Sequence, residues 1–328
     1  MELLTLNHSS YPRIGSAPDE QALRRAIAQR DRGEKADADV RSAEDQMVAL
    51  ALEEQREASM DILTDGLIRW NDPVSHLAGK LDGAQIDGLT RFFDTNFYFR
   101  QPIISGTVKR LQPLVVDEFK WAAKRSVQPV KPVLTGPYTV ARLALPGSGA
   151  RASHSLMMSF AEVLGAEVAE LAAAGARLIQ VDEPALAKYP AGLSFASEAL
   201  ALIAARKGPA ELALALYFGD SAPLYAALQN LPFDVLILDF TYSPKLTQVI
   251  ETDGTIKQLG FGLLDGRNTR LESQKAVLHQ LELMLRHVQP AGAYLTTSCG
   301  LEYLPRDRAR LKLHHLTSLK RSFLGEAA

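Results

Sequence analysis

Short apolar runs alternate along this chain with longer segments of mixed, helix-like polarity. Eight such runs each stop at a small cluster of polar, glycine or proline residues. The first four lie near Glu2–Asn7, Asp61–Thr64, Pro132–Leu134 and Arg177–Val181. The last four read LALALYFGD, DVLILDF, LGFGLLDGRN and AYLTTSCG, and end at Asp220, Asp239, Asn268 and Gly300. Apolar strands that alternate with helices build a parallel sheet covered by helices. A long helical stretch is expected from about Asp19 to Met60. Within it, an acidic start at Glu44-Asp45 suits the helix dipole. Further helices are expected at about Ser153–Ala174, with Gly175 as its cap, and at Ala222–Leu228, Lys245–Thr252, Arg270–His287 and Arg306–Leu324.

One segment breaks the alternation. Residues 78–128 are too many for a simple crossover, and LTRFFDTNFYFRQPII within them is aromatic and partly alternating. That pattern predicts an extended or hairpin excursion over the sheet's end, followed by the helix VDEFKWAAKRS. Eight strand–helix units make a single-domain (β/α)8 TIM barrel over 1–328, with the excursion inserted after strand two. A doubly wound open sheet would need a glycine-rich phosphate turn, and neither G-x-G-x-x-G nor a P-loop is present. In a closed barrel the C-terminal ends of the strands share one mouth, and chemistry is expected there.

Composition narrows the choice of partners. The chain's 328 residues fit one α/β barrel, and 47% hydrophobic residues can fill a large core. A net charge of −2 carries no electrostatic footprint for nucleic acid. The single cysteine, Cys299, excludes an internal disulfide and any zinc site with two cysteine ligands. MELLTLNHSS lacks the features of a signal peptide, and no stretch approaches the roughly 20 apolar residues of a membrane span. A cytoplasmic protein acting on a small molecule, without nucleic acid or membrane partners, is the expectation.

The strand ends supply the candidates for chemistry. Asp182-Glu183-Pro184 puts two carboxylates where an amine can be gripped or a proton exchanged, although either one can instead cap the next helix. Asp265-Gly266-Arg267-Asn268 can face a carboxylate or phosphate with its guanidinium, or be only a turn. Tyr217 with Asp220, and Asp239 with Phe240, pair an aromatic with a carboxylate. Cys299 is a candidate nucleophile or ligand, or a small buried hydrophobe.

Together YPRIG, RWNDP, RFFDTNFYFRQP, VLTGPYT, IQVDEPAL, YFGD, LLDGRN and TSCGLEYLP resemble the cobalamin-independent methionine synthase family, in its order and across nearly the whole chain. The full-length family enzyme has two barrels that look like duplicated halves. Shorter one-barrel relatives exist, some using a corrinoid-bound methyl group instead of folate. SSYPR and TDGLIRWNDP look like those relatives, whereas YFGD, LLDGRN and TSCGLEYLP look like the N-terminal half, which carries no zinc and helps bind the folate tail. The catalytic half holds zinc on a His-x-Cys, a glutamate and a cysteine, and the metal keeps homocysteine as a thiolate. Tyr217, Gly219 and Asp239 stand at the first three positions here, and only Cys299 remains. A family glutamate that helps bind homocysteine appears as Leu67.

The resemblance implies a methyltransferase that moves a methyl group from a folate or corrinoid donor to a thiol, with no tightly bound cofactor and no zinc. Two alternatives accompany it: a pterin-binding subunit for a separate zinc-bearing barrel or corrinoid protein, and a diverged barrel with other chemistry. Asp182 matches the aspartate that grips the homocysteine amine, and Arg13 matches the family's basic start. Asp182, Asp220, Asp239 and Cys299 are the expected catalytic residues. The expected substrate-binding residues are Ser10, Arg13, Asp65, Arg69, Asn96, Glu183, Tyr217, Asp265, Arg267 and Asn268.

Overall fold

In the computed structural model, residues 2–147, 154–290 and 292–326 are described. In chain order the elements are β1 (Glu2–Thr5), α1 (Ala22–Asp31), α2 (Asp37–Glu57), α3 (Ser75–Ala78), β2 (Leu81–Arg91), β3 (Tyr98–Arg110), α4 (Val116–Ala123), β4 (Val133–Thr135), α5 (Pro137–Leu143), β5 (Leu145–Pro146) and α6 (His154–Ala173). There follow β6 (Leu178–Asp182), α7 (Pro184–Lys188), α8 (Leu193–Ala204), β7 (Glu211–Leu216), α9 (Tyr225–Leu228), β8 (Val235–Asp239), α10 (Leu246–Asp253), β9 (Gln258–Leu264), α11 (Gln274–Leu285), β10 (Gly292–Thr297) and α12 (Arg306–Leu324).

Seven strands pair in parallel in the order β1-β10-β9-β8-β7-β6-β4. The open flank between β1 and β4 is bridged by only two residues. Ile62 pairs with Leu6 and Leu63 with Val130, both in parallel. Ile62 donates its N–H to Thr5 O at 3.0 Å, and Lys131 donates to Leu63 O at 2.8 Å. These bonds close the ring, so the second strand is present as a two-residue bridge. It stays short because side chains take over at both ends. Asp61 Oδ2 accepts the Thr5 N–H at 2.6 Å, and Gln55 Oε1 accepts the Thr64 N–H at 3.0 Å.

Period-two alternation is hidden inside the uniformly apolar strands. In β7, Leu212, Leu214 and Leu216 face the helices, while Ala213 and Ala215 face the barrel axis; β8 repeats this with Leu236 and Leu238 against Val235 and Ile237. Both faces are buried, so sequence polarity does not alternate although the packing does.

The excursion is an antiparallel hairpin of β2 and β3, with β5 added in parallel on the far side of β3. The hairpin agrees with the aromatic pattern, whereas β5 was not anticipated. The helical stretch expected at Asp19–Met60 divides into α1 and α2 at a turn through Gly33 (φ 74°). The expected start at Ser153 lies outside the described residues, and α6 begins at His154. Among the described residues no helix is long and apolar enough to cross a membrane.

Candidate functional site

The floor of the mouth is a buried polar chain. Lys131, just before β4, donates through Nζ to His8 O at 2.7 Å and to Gln180 Oε1. Gln180 passes this on, donating through Nε2 to Asp182 Oδ1 at 2.6 Å. The other carboxylate oxygen accepts the Tyr217 hydroxyl at 3.0 Å. Asp182 is 5% exposed and Lys131 1%. Burial pushes the Asp182 carboxyl up and the Lys131 ammonium down, and their mutual attraction only partly opposes this. The His8 ring stands edge-on to Tyr217 with centroids 5.2 Å apart. Burial, then Lys131, hold His8 well below its ordinary pKa, and its Nε2 has no partner.

A second cluster forms at the ends of β7, β8 and β10. Asp239 accepts three backbone N–H groups, from Thr241 at 2.8 Å, Tyr242 at 3.1 Å and Phe218 at 3.2 Å. Burial still pushes its carboxyl up to about 6. The bond to Phe218 helps hold that residue at φ 67°, a conformation non-glycine residues rarely adopt. Cys299 is 1% exposed and packs with Val74, Phe92, Phe99, Tyr217 and Phe218. Burial and then Asp239 raise its thiol pKa well above the ordinary value. The excursion supplies the cover. Phe92 and Phe93 meet Phe218 at 6.3 and 6.2 Å, and Phe97 meets Tyr303 at 4.8 Å between centroids.

Beside this covered floor lies a cavity of about 690 Å³. Leu23 and Ile27 of α1, Leu67, Trp70 and Phe97 give it apolar walls, and Arg13, Asn71 and Glu302 add polar groups. Arg13 is braced by Nε donating to Ile68 O at 2.8 Å and Nη1 to Asn71 Oδ1 at 3.3 Å. Burial pushes the Glu302 carboxyl up to about 7, against hydrogen bonding from Ser10 and Tyr303.

The expected site residues divide accordingly. Asp182, Tyr217, Asp239 and Cys299 gather at the floor, and Ser10 sits beside Glu302 near Arg13. Asp65 closes its own turn by accepting the Leu67 N–H at 3.0 Å, and burial raises it to about 6. Asp265 likewise accepts the Arg267 N–H at 2.9 Å. Arg267 reaches back over the mouth, donating to the Tyr242 hydroxyl and to Asp94 O of the hairpin.

Five residues stand apart from that cluster. Both Glu183 oxygens are taken by the N-terminus of α5, through the N–H groups of Tyr138 at 2.9 Å and Thr139 at 2.8 Å, so it caps that helix. Asp220 is exposed and accepts the Ala222 N–H at 3.0 Å. Asn268 is exposed and accepts the Arg270 N–H at 3.0 Å. Arg69 is drawn to Asp45 of α2 and stacks 4.8 Å from Trp121. Asn96 is exposed between β2 and β3. Sequence reasoning missed Lys131, Gln180 and Glu302. For Lys131 and Gln180 the available signal was a charged or amide side chain within an otherwise apolar run, in VKPVL and LIQVD.

The four positions where the resemblance expects zinc ligands do not fit the metal. Tyr217 is a buried phenol donating to Asp182, and burial pushes it further from ionisation. Gly219 offers no donor, and a Cβ there would lie 2.3 Å from Ala187 O. Asp239 is committed to three backbone N–H groups, and burial pushes the Cys299 thiol further from ionisation.

Comparison with known proteins points one way. The family model described as "Cobalamin-independent synthase, Catalytic domain" matches residues 11–321. A methionine synthase of Sulfurisphaera tokodaii is 31% identical over 306 residues, 92% of this chain and 88% of that protein. A methionine synthase of Saccharolobus solfataricus is 29% identical over 305 residues, 92% of this chain and 90% of that one. The solved B12-independent methionine synthase of Shewanella sp. W3-18-1, in complex with selenomethionine, has a TM-score of 0.80 at 21% identity, covering 99% of this chain and 100% of that one.

Proposed function

This chain belongs to the cobalamin-independent methionine synthase family, and we propose that it serves methyl transfer from a folate or corrinoid donor to an amino-acid thiol such as homocysteine, without a resident zinc ion. The observation that carries this reading is Asp182, a carboxylate at the end of β6 whose oxygens are oriented by Gln180 and Tyr217. A carboxylate in that position suits an ammonium group, and the family relationship makes an amino acid the expected bearer. The selenomethionine in the Shewanella enzyme is consistent with a ligand of that class.

In the transfer, a sulfur–methyl bond forms as the donor–methyl bond breaks, and the thiol gives up its proton. A free thiol with a pKa of about 8.5 is mostly protonated near neutral pH. This chain's part is to bind the amino acid, orient it and exclude water beneath Phe92, Phe93 and Phe97. With Asp182 engaged by the ammonium, Asp239, the buried carboxylate that acts on the Cys299 position, is the group left to receive the proton.

One observation favours a second reading. After burial itself, Asp239, Asp265 and Glu302 all act against ionisation of the Cys299 thiol, and a substrate thiol at the same place meets the same carboxylates. A barrel that binds and presents a ligand to a separately encoded zinc-bearing barrel would not need thiolate here. Methyl transfer assayed with the chain alone, then with such a partner, separates the two. Product from the chain alone supports the enzyme, and product only with the partner supports the subunit. If no folate, corrinoid or amino-acid thiol binds, both readings fall and the barrel has diverged to other chemistry.

A further inference from the structure

A lysine with no exposed side chain stands on α12, in the outer layer of the barrel. Lys312 donates through Nζ to Glu272 Oε1 at 2.6 Å. A buried ion pair seldom stabilises a fold more than apolar side chains of the same size would. A positional role accounts for the pair better, and the bonds of Glu272 show which.

Glu272 belongs to the segment 265–273, which joins β9 to α11 without regular structure. The oxygen held by Lys312 also accepts the Asp265 N–H at 2.9 Å. His315, one turn further along α12, donates through Nε2 to Glu272 O at 2.9 Å. The segment is thereby tied to α12 through both side chain and backbone.

The tied segment contains the turn that carries Arg267. Asp265 Oδ1 accepts the Arg267 N–H at 2.9 Å, and Gly266 donates its N–H to Ser298 Oγ at 3.1 Å. The turn lies so close to the end of β10 that a Cβ on Gly266 would stand 2.7 Å from Cys299 O. Fixed on both sides, it sends Arg267 across the mouth. Nη2 donates to Asp94 O at 3.1 Å, Nη1 donates to the Tyr242 hydroxyl, and the guanidinium lies 5.4 Å from the centre of the Phe218 ring. Asp94 is at the tip of the β2–β3 hairpin, beside the Phe92 that packs with Cys299. Lys188 also pairs with the Asp94 carboxylate, but that pair is exposed and contributes little.

We propose that Lys312 and Glu272 are positioning residues, a buried strut through which α12 sets the turn after β9 so that Arg267 latches the hairpin over the mouth. The strut serves the water-excluding cover of the transfer proposed above, and its purpose rests on that reading. Its mechanics do not, because the latch can be read from Cys299 without any substrate.

The rate at which a pyridyl disulfide labels Cys299 in the full chain at pH 8, below the unfolding transition, tests the strut. In Lys312→Met/Glu272→Leu an apolar pair replaces the charges, so the urea midpoint is expected to stay at the wild-type value. Labelling is expected to rise about tenfold, because the hairpin opens locally more often. Arg267→Gln should speed labelling by the same factor, and combining it with the strut replacement should add nothing further, as expected of residues that act through one another. Glu272→Gln keeps an oxygen for both donors and should label at the wild-type rate. If the double replacement does not fold, Arg267→Gln and Glu272→Gln still decide the matter. Lys320→Met, which removes the bond from α12 to Asp61, should lower the midpoint and leave labelling unchanged. A strut replacement that lowers the midpoint without speeding labelling assigns the pair to the fold alone and overturns the proposal. So does wild-type labelling of Arg267→Gln, acceleration by the strut that adds to that of Arg267→Gln, or acceleration in Glu272→Gln or Lys320→Met. None of these outcomes bears on methyl transfer, which stands or fails by its own assay.

Discussion

Desolvation moves Asp65 and Asp239 up to about 6 and Glu183 up to about 7, and it moves His8 and Lys131 the other way. Each group is pushed toward its neutral form because burial penalises charge. For Asp182 the sign gives a test. A carboxyl whose folded pKa is raised contributes stability that is fully present below its unfolded pKa of about 3.9 and is lost as pH rises through the folded value. Asp182→Asn has no such titration, because the amide stays neutral at every pH. Urea unfolding at pH 5 and pH 8 should therefore show the wild type losing stability relative to Asp182→Asn as pH rises. The opposite trend would mean that the fold stabilises the anion. A second residue-level test is steric. A methyl on Gly219 would approach the backbone of Ala187 and Lys188, which cannot rotate aside as a side chain does. Gly219→Ala is expected to cost about 1–3 kcal/mol by urea unfolding. An unchanged midpoint would show that this loop is loose enough to accept a side chain, and a ligand, at that position.

The β2–β3 hairpin and the loop after β7 stabilise one another as a lid and its support. Phe218 keeps its positive φ because its N–H is bonded to Asp239 and its ring is enclosed by Phe92, Phe93 and Tyr303. The lid's effect can be read from Cys299. Buried beneath Phe92, the thiol should react slowly with a disulfide reagent at pH 8, and Phe92→Ala should speed labelling tenfold or more below the unfolding transition. Equal rates would mean that the hairpin does not cover the mouth in solution. These elements were legible to different degrees. The apolar runs that became β6 to β10 stood out because both faces of a barrel strand are buried, and the aromatic alternation of residues 90–104 announced the hairpin. The second strand was found in place, but its reduction to Ile62 and Leu63 was not foreseen, because Asp61 and Gln55 replace ladder bonds from a distance. Helices α7 and α8 were not anticipated in the crossover between β6 and β7. At the site, Asp182 was visible from its strand end. Whether Glu183 caps a helix and whether Asn268 belongs only to a turn stay open in the sequence, and Arg69 is drawn to Asp45, because partners in the fold rather than local sequence decide where such side chains point.

At the scale of the molecule, the ring of strands is closed by backbone bonds and packed on both faces. In zinc proteins whose sites are closed by protein ligands, metal binding and folding are linked. A ligand present at one hundred times its dissociation constant adds about 2.7 kcal/mol to the folded state. In a domain of this size that amounts to a shift of roughly 5 °C in Tm. If Tyr217, Gly219, Asp239 and Cys299 hold no zinc, stripping the purified chain with a strong chelator should leave both Tm and L-methionine affinity unchanged, and metal analysis before stripping should find well under one zinc per chain. A fall of several degrees, restored by added zinc, would mean that these residues rearrange to bind the metal and that thiol activation follows the family's usual route. An unchanged Tm together with methyl transfer by the chain alone would leave the proton of the thiol to this chain's own carboxylates. That outcome is chemically demanding, because burial first, and then Asp239, Asp265 and Glu302, already oppose ionisation of the Cys299 thiol.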